Sequence, residues 1–195
     1  MYGEISDDIF EVGQQLVILI LSNNKFEGHI FKMPTSLQSL SLNDNNLSGK
    51  LQIFNTSIIS LRVSNNHLVG NIPNLLTNFS RLSELRMSNN HFEGFIPPEL
   101  AQQLRGLTYL DLFQNNLNGL VPSFLNSSMK FIHLSNNHLI GLSKKMFNGN
   151  SPLMMLDLSY NEILDNIRDM TQDLSYTKLN FHLLKGNHIN RDLPK

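Results

Sequence analysis

Seven histidines and sixteen carboxylates are the residues of this 195-residue chain with the most chemistry to offer. Asp111, His133 and Asp157 stand out among them because they recur at spacings of 22 and 24 residues. An imidazole set between two carboxylates is, on paper, an acid–base or metal-binding arrangement. Such work also needs a cleft with perturbed proton affinities, and zinc needs three or four ligands converging at short spacings. The sequence supplies neither. His67, His91, His138 and His188 each follow an Asn at one place in a recurring phrase, which makes them part of a repeated turn sequence. Asp157 to Arg168 imitates a calcium loop, but carries Glu162 where that loop needs Gly and Arg168 where it needs Glu. There is no phosphate-binding loop, no His-Glu-x-x-His motif and no Cys for disulfide, thiolate or nucleophile. No catalytic residue, metal ligand or cofactor is therefore expected.

The elements that position these residues follow from an unusual composition: 34 Leu and 26 Asn, 31% of the chain from two residue types. A hydrophobic share of 41% is enough for a core. A net charge of −1 provides no basic field for nucleic acid or an anionic membrane. The longest strongly apolar run, Leu16 to Leu21, is six residues, far short of the roughly 20 that span a bilayer.

Aligned on Leu-x-x-Leu-x-Leu, the chain shows eight copies that begin at Leu16, Leu37, Ile58, Leu82, Leu107, Met129, Leu153 and Leu179. The steps run from 21 to 26 residues. Position nine was not used to set the register, yet it holds Asn24, Asn45, Asn66, Asn90, Asn115, Asn137, Asn161 and Asn187. At this Asn frequency chance gives such a column with a probability on the order of 10⁻⁷. Position eleven is apolar throughout, and position thirteen is Gly in the first six copies, from Gly28 to Gly141. A partial copy opens the chain at Gly3 and Ile5.

Each position has a physical role. The alternating Leu-x-Leu piece forms a short strand with Leu turned inward, and strands of successive copies stack roughly 4.8 Å apart as one parallel sheet. The Asn amide can satisfy backbone carbonyls of adjacent coils, and the Gly suits a tight bend. The expected fold is an α/β-type solenoid or horseshoe, one domain over 1–195, with one parallel sheet on its concave face and short 3₁₀ or irregular convex segments.

Side chains at motif positions three and five point out of that sheet. Position five reads Ile20, Ser41, Arg62, Arg86, Asp111, His133, Asp157 and Leu183. Position three reads Ile18, Ser39, Ser60, Glu84, Tyr109, Phe131, Met155 and Phe181, and position seven adds Phe113. An aromatic cluster rimmed by charge is what binding surfaces use. The expected ligand- or partner-binding residues are Arg62, Arg86, Tyr109, Asp111, Phe113, Phe131, His133, Met155 and Asp157. Glycosylation sequons stand at Asn46, Asn55, Asn78 and Asn126, about the number that chance provides. Asn78 and Asn126 fall in the expected convex segments, where a glycan would be solvated.

The phrases LRVSNNHLVGNIP (Leu61 to Pro73), LRMSNNHFEGFIP (Leu85 to Pro97) and LDLFQNNLNGLVP (Leu110 to Pro122) resemble plant-type leucine-rich repeats. The Gly-x-Ile-Pro ending of the first two, Gly-Leu-Val-Pro in the third, sets that class apart from cytoplasmic repeats. LILSNNKFEGHIF (Leu19 to Phe31) and FHLLKGNHINRDLP (Phe181 to Pro194) look like repeats of plant receptor-like proteins. The resemblance implies a glycosylated ectodomain on the extracellular side of the plasma membrane, acting in defence or developmental signalling. It implies a peptide, protein or carbohydrate ligand and a co-receptor kinase. Members of that family carry a signal peptide, Cys-bearing caps and a membrane span. None is present here, so both ends are expected to be uncapped and the chain to be an internal section of a larger receptor. The rivals are a secreted enzyme inhibitor, similar to plant repeat proteins that block fungal pectin-degrading enzymes, and a truncated, non-functional receptor copy.

Overall fold

A computed structural model describes residues 1–6, 15–30, 34–51, 57–77, 79–124, 127–143, 151–164 and 185–188. The alternating stretch of the motif forms one strand per copy: β2 (Ile18–Ile20), β4 (Ser39–Ser41), β6 (Ser60–Arg62), β8 (Glu84–Arg86), β10 (Tyr109–Asp111), β12 (Phe131–His133) and β14 (Met155–Asp157). They pair in parallel as a seven-stranded sheet, and same-numbered motif positions lie side by side. The middle residue of each strand turns inward, so Leu40, Leu61, Leu85, Leu110 and Ile132 have no solvent exposure. Of the copy that begins at Leu179, only residues 185–188 are described; Asn187 there accepts from the Ile163 N–H at 3.1 Å and donates to the Leu158 carbonyl at 2.9 Å.

The expectation of a single sheet with irregular segments behind it is corrected by a second one. The partial opening copy and the first six full copies each form another strand, in the full copies just past the Asn: β1 (Tyr2–Glu4), β3 (Lys25–Gly28), β5 (Asn46–Lys50), β7 (His67–Asn71), β9 (His91–Phe95), β11 (Asn116–Val121) and β13 (His138–Leu142). These also stack in chain order as seven parallel strands. Their logic is again alternation: the apolar position eleven turns in, with Leu47, Leu68, Phe92, Leu117 and Leu139 fully buried, and its neighbours face out. The Gly expected at a bend sits inside these strands in the left-handed region. Gly94 has φ +91°, and a Cβ there would lie 2.7 Å from the Asn71 amide nitrogen. Helix is confined among the described residues to α1 (Ile72–Leu76) and α2 (Leu100–Gln103). Asn71 caps α1, whose Ile72, Leu75 and Leu76 are buried.

Asn residues hold the turn between the two sheets. The Asn66 amide nitrogen donates to the carbonyls of Leu42 on the preceding coil (3.0 Å), Val63 (3.1 Å) and Ser64 (3.1 Å). Its carbonyl oxygen accepts from the Leu47 backbone N–H at 3.0 Å. Asn45, Asn90, Asn115, Asn137 and Asn161 repeat the pattern coil after coil. The residue before each ladder Asn also has a special task. Asn23, Asp44, Asn65, Asn89, Gln114, Asn136 and Tyr160 all take a left-handed φ between 51° and 59°. Asn and Asp tolerate that conformation best among residues with a side chain. The Asn excess therefore serves two columns rather than one.

Candidate functional site

The outward face of the first sheet carries two ranks of side chains in strict register. Ser60, Glu84, Tyr109, Phe131 and Met155 follow one another along one rank, and Arg62, Arg86, Asp111, His133 and Asp157 along the other. The structure thus brings the expected residues together on neighbouring strands. Phe181 and Leu183 lie outside the described residues.

Register alone would set Arg62 directly against Arg86, like charge against like. Glu84 resolves this. Its Oε2 accepts from Arg62 Nη2 at 2.7 Å, Arg62 Nε at 3.0 Å and the Ser60 hydroxyl at 2.9 Å. Its Oε1 accepts from Arg86 Nε at 2.7 Å. Partial burial pushes the Glu84 carboxyl up, but the hydrogen bonds from Arg62, Ser60 and Arg86 outweigh it and hold the group below its ordinary value. Glu84 and Ser60 were absent from the residues expected in the site. Their signal was available: position three of one strand sits diagonally against position five of the next.

Arg86 in turn lies over the Tyr109 ring, with its guanidinium carbon 4.2 Å from the ring centroid. The rings of Tyr109 and Phe131 sit 5.5 Å apart, tilted by 36°, and Met155 continues the rank on the next strand at 41% exposure. Tyr109 and Phe131 are half-buried, so the expected exposed apolar ladder is a shallow, partly self-packed strip.

His133 joins the two carboxylates suggested by the spacing. Its Nδ1 is 3.4 Å from Asp111 and its Nε2 is 3.3 Å from Asp157, with the Ser135 hydroxyl 2.8 Å from the same nitrogen. Phe113 stacks on the imidazole at 4.8 Å. Burial lowers the proton affinity of His133, but hydrogen bonds and charge attraction from Asp111 and Asp157 dominate and raise its pKa to about 9. Asp111 is pushed up by burial and, more strongly, down by His133, the Phe113 N–H and the Ser88 hydroxyl. Asp157 is likewise pushed up by burial and held well below the usual range by His133 and by the Ser159 backbone N–H and hydroxyl.

The order Ser135, His133, Asp111 has the atoms of a hydrolytic triad. Two observations separate it from one. Ser135 is only 2% exposed, and an imidazole that keeps its proton up to pH 9 has no lone pair with which to activate a hydroxyl at neutral pH. Among the described residues no three His, Cys, Asp or Glu side chains are placed so that together they could hold a metal ion. What the face offers is fixed charge: a net positive Arg62–Glu84–Arg86 cluster, an aromatic strip, and a net negative Asp111–His133–Asp157 cluster. Of the sequons, Asn46 is exposed at the start of β5, with its side-chain oxygen 3.0 Å from His67 Nε2. Asn55, Asn78 and Asn126 lie outside the described residues. Among the described residues no helix is long and apolar enough to cross a membrane.

Comparison with known proteins agrees with this architecture. The leucine-rich repeat family model matches residues 36–55, 57–79, 81–103 and 106–127. No curated protein matches the chain in sequence. Among solved structures, a plant ice-binding protein superposes with a TM-score of 0.84 at 26% identity over 96% of this chain. The Arabidopsis receptor kinase HAESA, in complex with the peptide hormone IDA and the co-receptor SERK1, superposes with a TM-score of 0.71 at 28% identity over 98% of this chain. The plant peptide hormone receptor RGFR1, in complex with RGF2, superposes with a TM-score of 0.65 at 24% identity. The chain spans 62%, 37% and 38% of those three chains, respectively. The repeat phrase, the two stacked sheets, the family match and these neighbours agree: the chain carries leucine-rich repeats and is similar to plant receptor ectodomains.

Proposed function

We propose that this chain is a recognition module whose outward first-sheet face binds a peptide or protein ligand, as part of a receptor on the extracellular side of the plasma membrane. The observation that carries the reading is the ordered array Arg86–Tyr109–Phe131–Met155, flanked by the two charge clusters. Tyr and Arg are enriched where interfaces concentrate their binding energy, and a guanidinium already held by Glu84 and Tyr109 loses little freedom on binding. From Arg62 to Asp157 the array crosses four strand spacings, roughly 19 Å. That length matches about six residues of an extended peptide at roughly 3.3 Å each. HAESA and RGFR1 carry peptide hormones in their complexes, which supports a peptide over a carbohydrate. A role in defence or development, and a co-receptor kinase as second partner, follow from the same likeness and belong to the proposal.

The test replaces Arg86, Tyr109 and Phe131 together by Ser, the residue that β4 carries at both outward places of the same face. Panned against a displayed library of random linear peptides, the unaltered chain is expected to enrich related sequences and the triple variant none of them. Equal capture by both proteins sinks the site.

The ice-binding neighbour supports a second reading, since its TM-score exceeds those of both receptors above. Under that reading the chain slows ice recrystallisation, and the triple Ser variant does so equally well. A chain that leaves recrystallisation unaltered removes the alternative.

A further inference from the structure

The outward face of the first sheet keeps its opposite charges apart. Arg86 and Asp111 stand directly opposite each other in the register of β8 and β10, where an ion pair between neighbours would form readily. None forms. The Arg86 guanidinium leans towards motif position three, to Glu84 and the Tyr109 ring. The Asp111 carboxyl leans towards position seven, to the Ser88 hydroxyl and the Phe113 N–H, and meets His133 alongside. A surface that neutralised itself here would have little charge left for a ligand; this one retains a positive and a negative end.

Each end has one group with open capacity. Both Nη atoms of Arg86 are without a hydrogen-bond partner among the described residues, and its side chain is 37% exposed. At the other end both oxygens of Asp111 are engaged, and its side chain is only 14% exposed. Asp157 is more open, at 26%. Its Oδ1 accepts from the Ser159 N–H and hydroxyl, but its Oδ2 meets only the His133 ring among the described residues, at 3.3 Å. Arg86 and Asp157 are thus the open cation and the open anion, three strand steps apart in one rank.

That separation sets a spacing on the ligand. Three steps are roughly 14 Å, which an extended peptide covers in about four residues at roughly 3.3–3.6 Å each. Side chains alternate along an extended chain, so residues four apart point to the same side, as does the residue midway between them. The midway residue falls level with β10 and β12, beside the strip of Tyr109 and Phe131.

We propose that this face selects peptides with an acidic and a basic side chain four residues apart and an apolar one midway, the acid on Arg86 and the base on Asp157. The proposal rests on the peptide reading above and adds the chemistry of the ligand to it. Two acids or two bases at these places would set like charge against like at one end.

A displayed library of random linear peptides, flanked on both sides so that neither terminus supplies a charge, tests this with three forms of the intact chain. Sequences enriched by the parent are expected to hold an acid and a base four positions apart, at least about tenfold above their frequency in the library. Arg86→Gln should lose the preference for the acid and keep that for the base, and Asp157→Asn the reverse. Circular dichroism confirms that both variants keep the fold of the parent. Enriched peptides without this charge pair, or a pair that both variants still select, overturn the proposal and leave the peptide reading standing. A parent chain that enriches no related sequences removes the peptide reading, and the proposal with it.

Discussion

His133 keeps its proton at neutral pH because two carboxylates hold it from opposite sides, and the consequence is a stability that depends on pH in two directions. Its folded pKa, about 9, lies above the ordinary 6.5. The stabilisation it brings is therefore complete below pH 6.5 and is lost as pH rises through 9. Asp111 and Asp157 are shifted the other way, so their share is present above their ordinary value of 3.8 and is lost in acid. The melting temperature should be highest between these limits and should fall from pH 6.5 to pH 9, by an effect of at most about 3 kcal/mol. His133→Gln should remove that alkaline slope and lower stability near pH 6, since it leaves two partly buried carboxylates without a cation. A wild-type melting temperature that is flat from pH 6.5 to pH 9 would count against the clamp. The residues of this clamp were legible in the sequence from their spacing alone. Their chemistry was not, because whether an imidazole acts as base, ligand or fixed cation depends on Ser135 being buried and on both ring nitrogens being engaged. The Glu84 bridge was legible only as a diagonal pairing of motif positions: Glu84 and Arg86 share β8 and Arg62 comes from β6, and the stacking of these two strands makes Glu84 the shared acceptor.

At the scale of elements, the Asn ladder is what ties one coil to the next at the turn between sheets. Asn90 donates to Val63 on the preceding coil, to Met87 and to Ser88, and accepts from the Leu68 N–H, all in a buried setting. Asn90→Ala leaves the buried Leu68 N–H without its acceptor and takes one donor each from the carbonyls of Val63, Met87 and Ser88, which keep Asn66, Asn115 and the Asn65 N–H; it should cost about 3 kcal/mol. Asn24→Ala, at the half-exposed start of the ladder, should cost about 1 kcal/mol, because water replaces what is lost. Urea unfolding of the two variants measures the contrast, and equal losses would deny the ladder its role. The first sheet was readable because Leu-x-Leu alternation and an invariant Asn are strong periodic signals. The second sheet was not, since its strands show a single inward residue between polar neighbours and a Gly. That combination reads as turn chemistry until parallel neighbours complete the hydrogen bonding. The role of position eight was not legible on the same ground: its left-handed φ is a property of the backbone path, which the residue type alone does not state.

For the whole molecule, stacking places the functional groups, and no single coil holds a site by itself. Each coil contacts its neighbours, and only the stack brings Arg86, Tyr109, Phe131 and His133 onto one face. The central claim is that this face recognises a peptide. Its most direct measurement is the affinity of library-selected peptides for the chain and for the Arg86→Ser, Tyr109→Ser, Phe131→Ser variant. Binding by the variant should be at least a hundredfold weaker, with a melting temperature within a few degrees of the parent. Peptides that bind both proteins with the same affinity would contradict it.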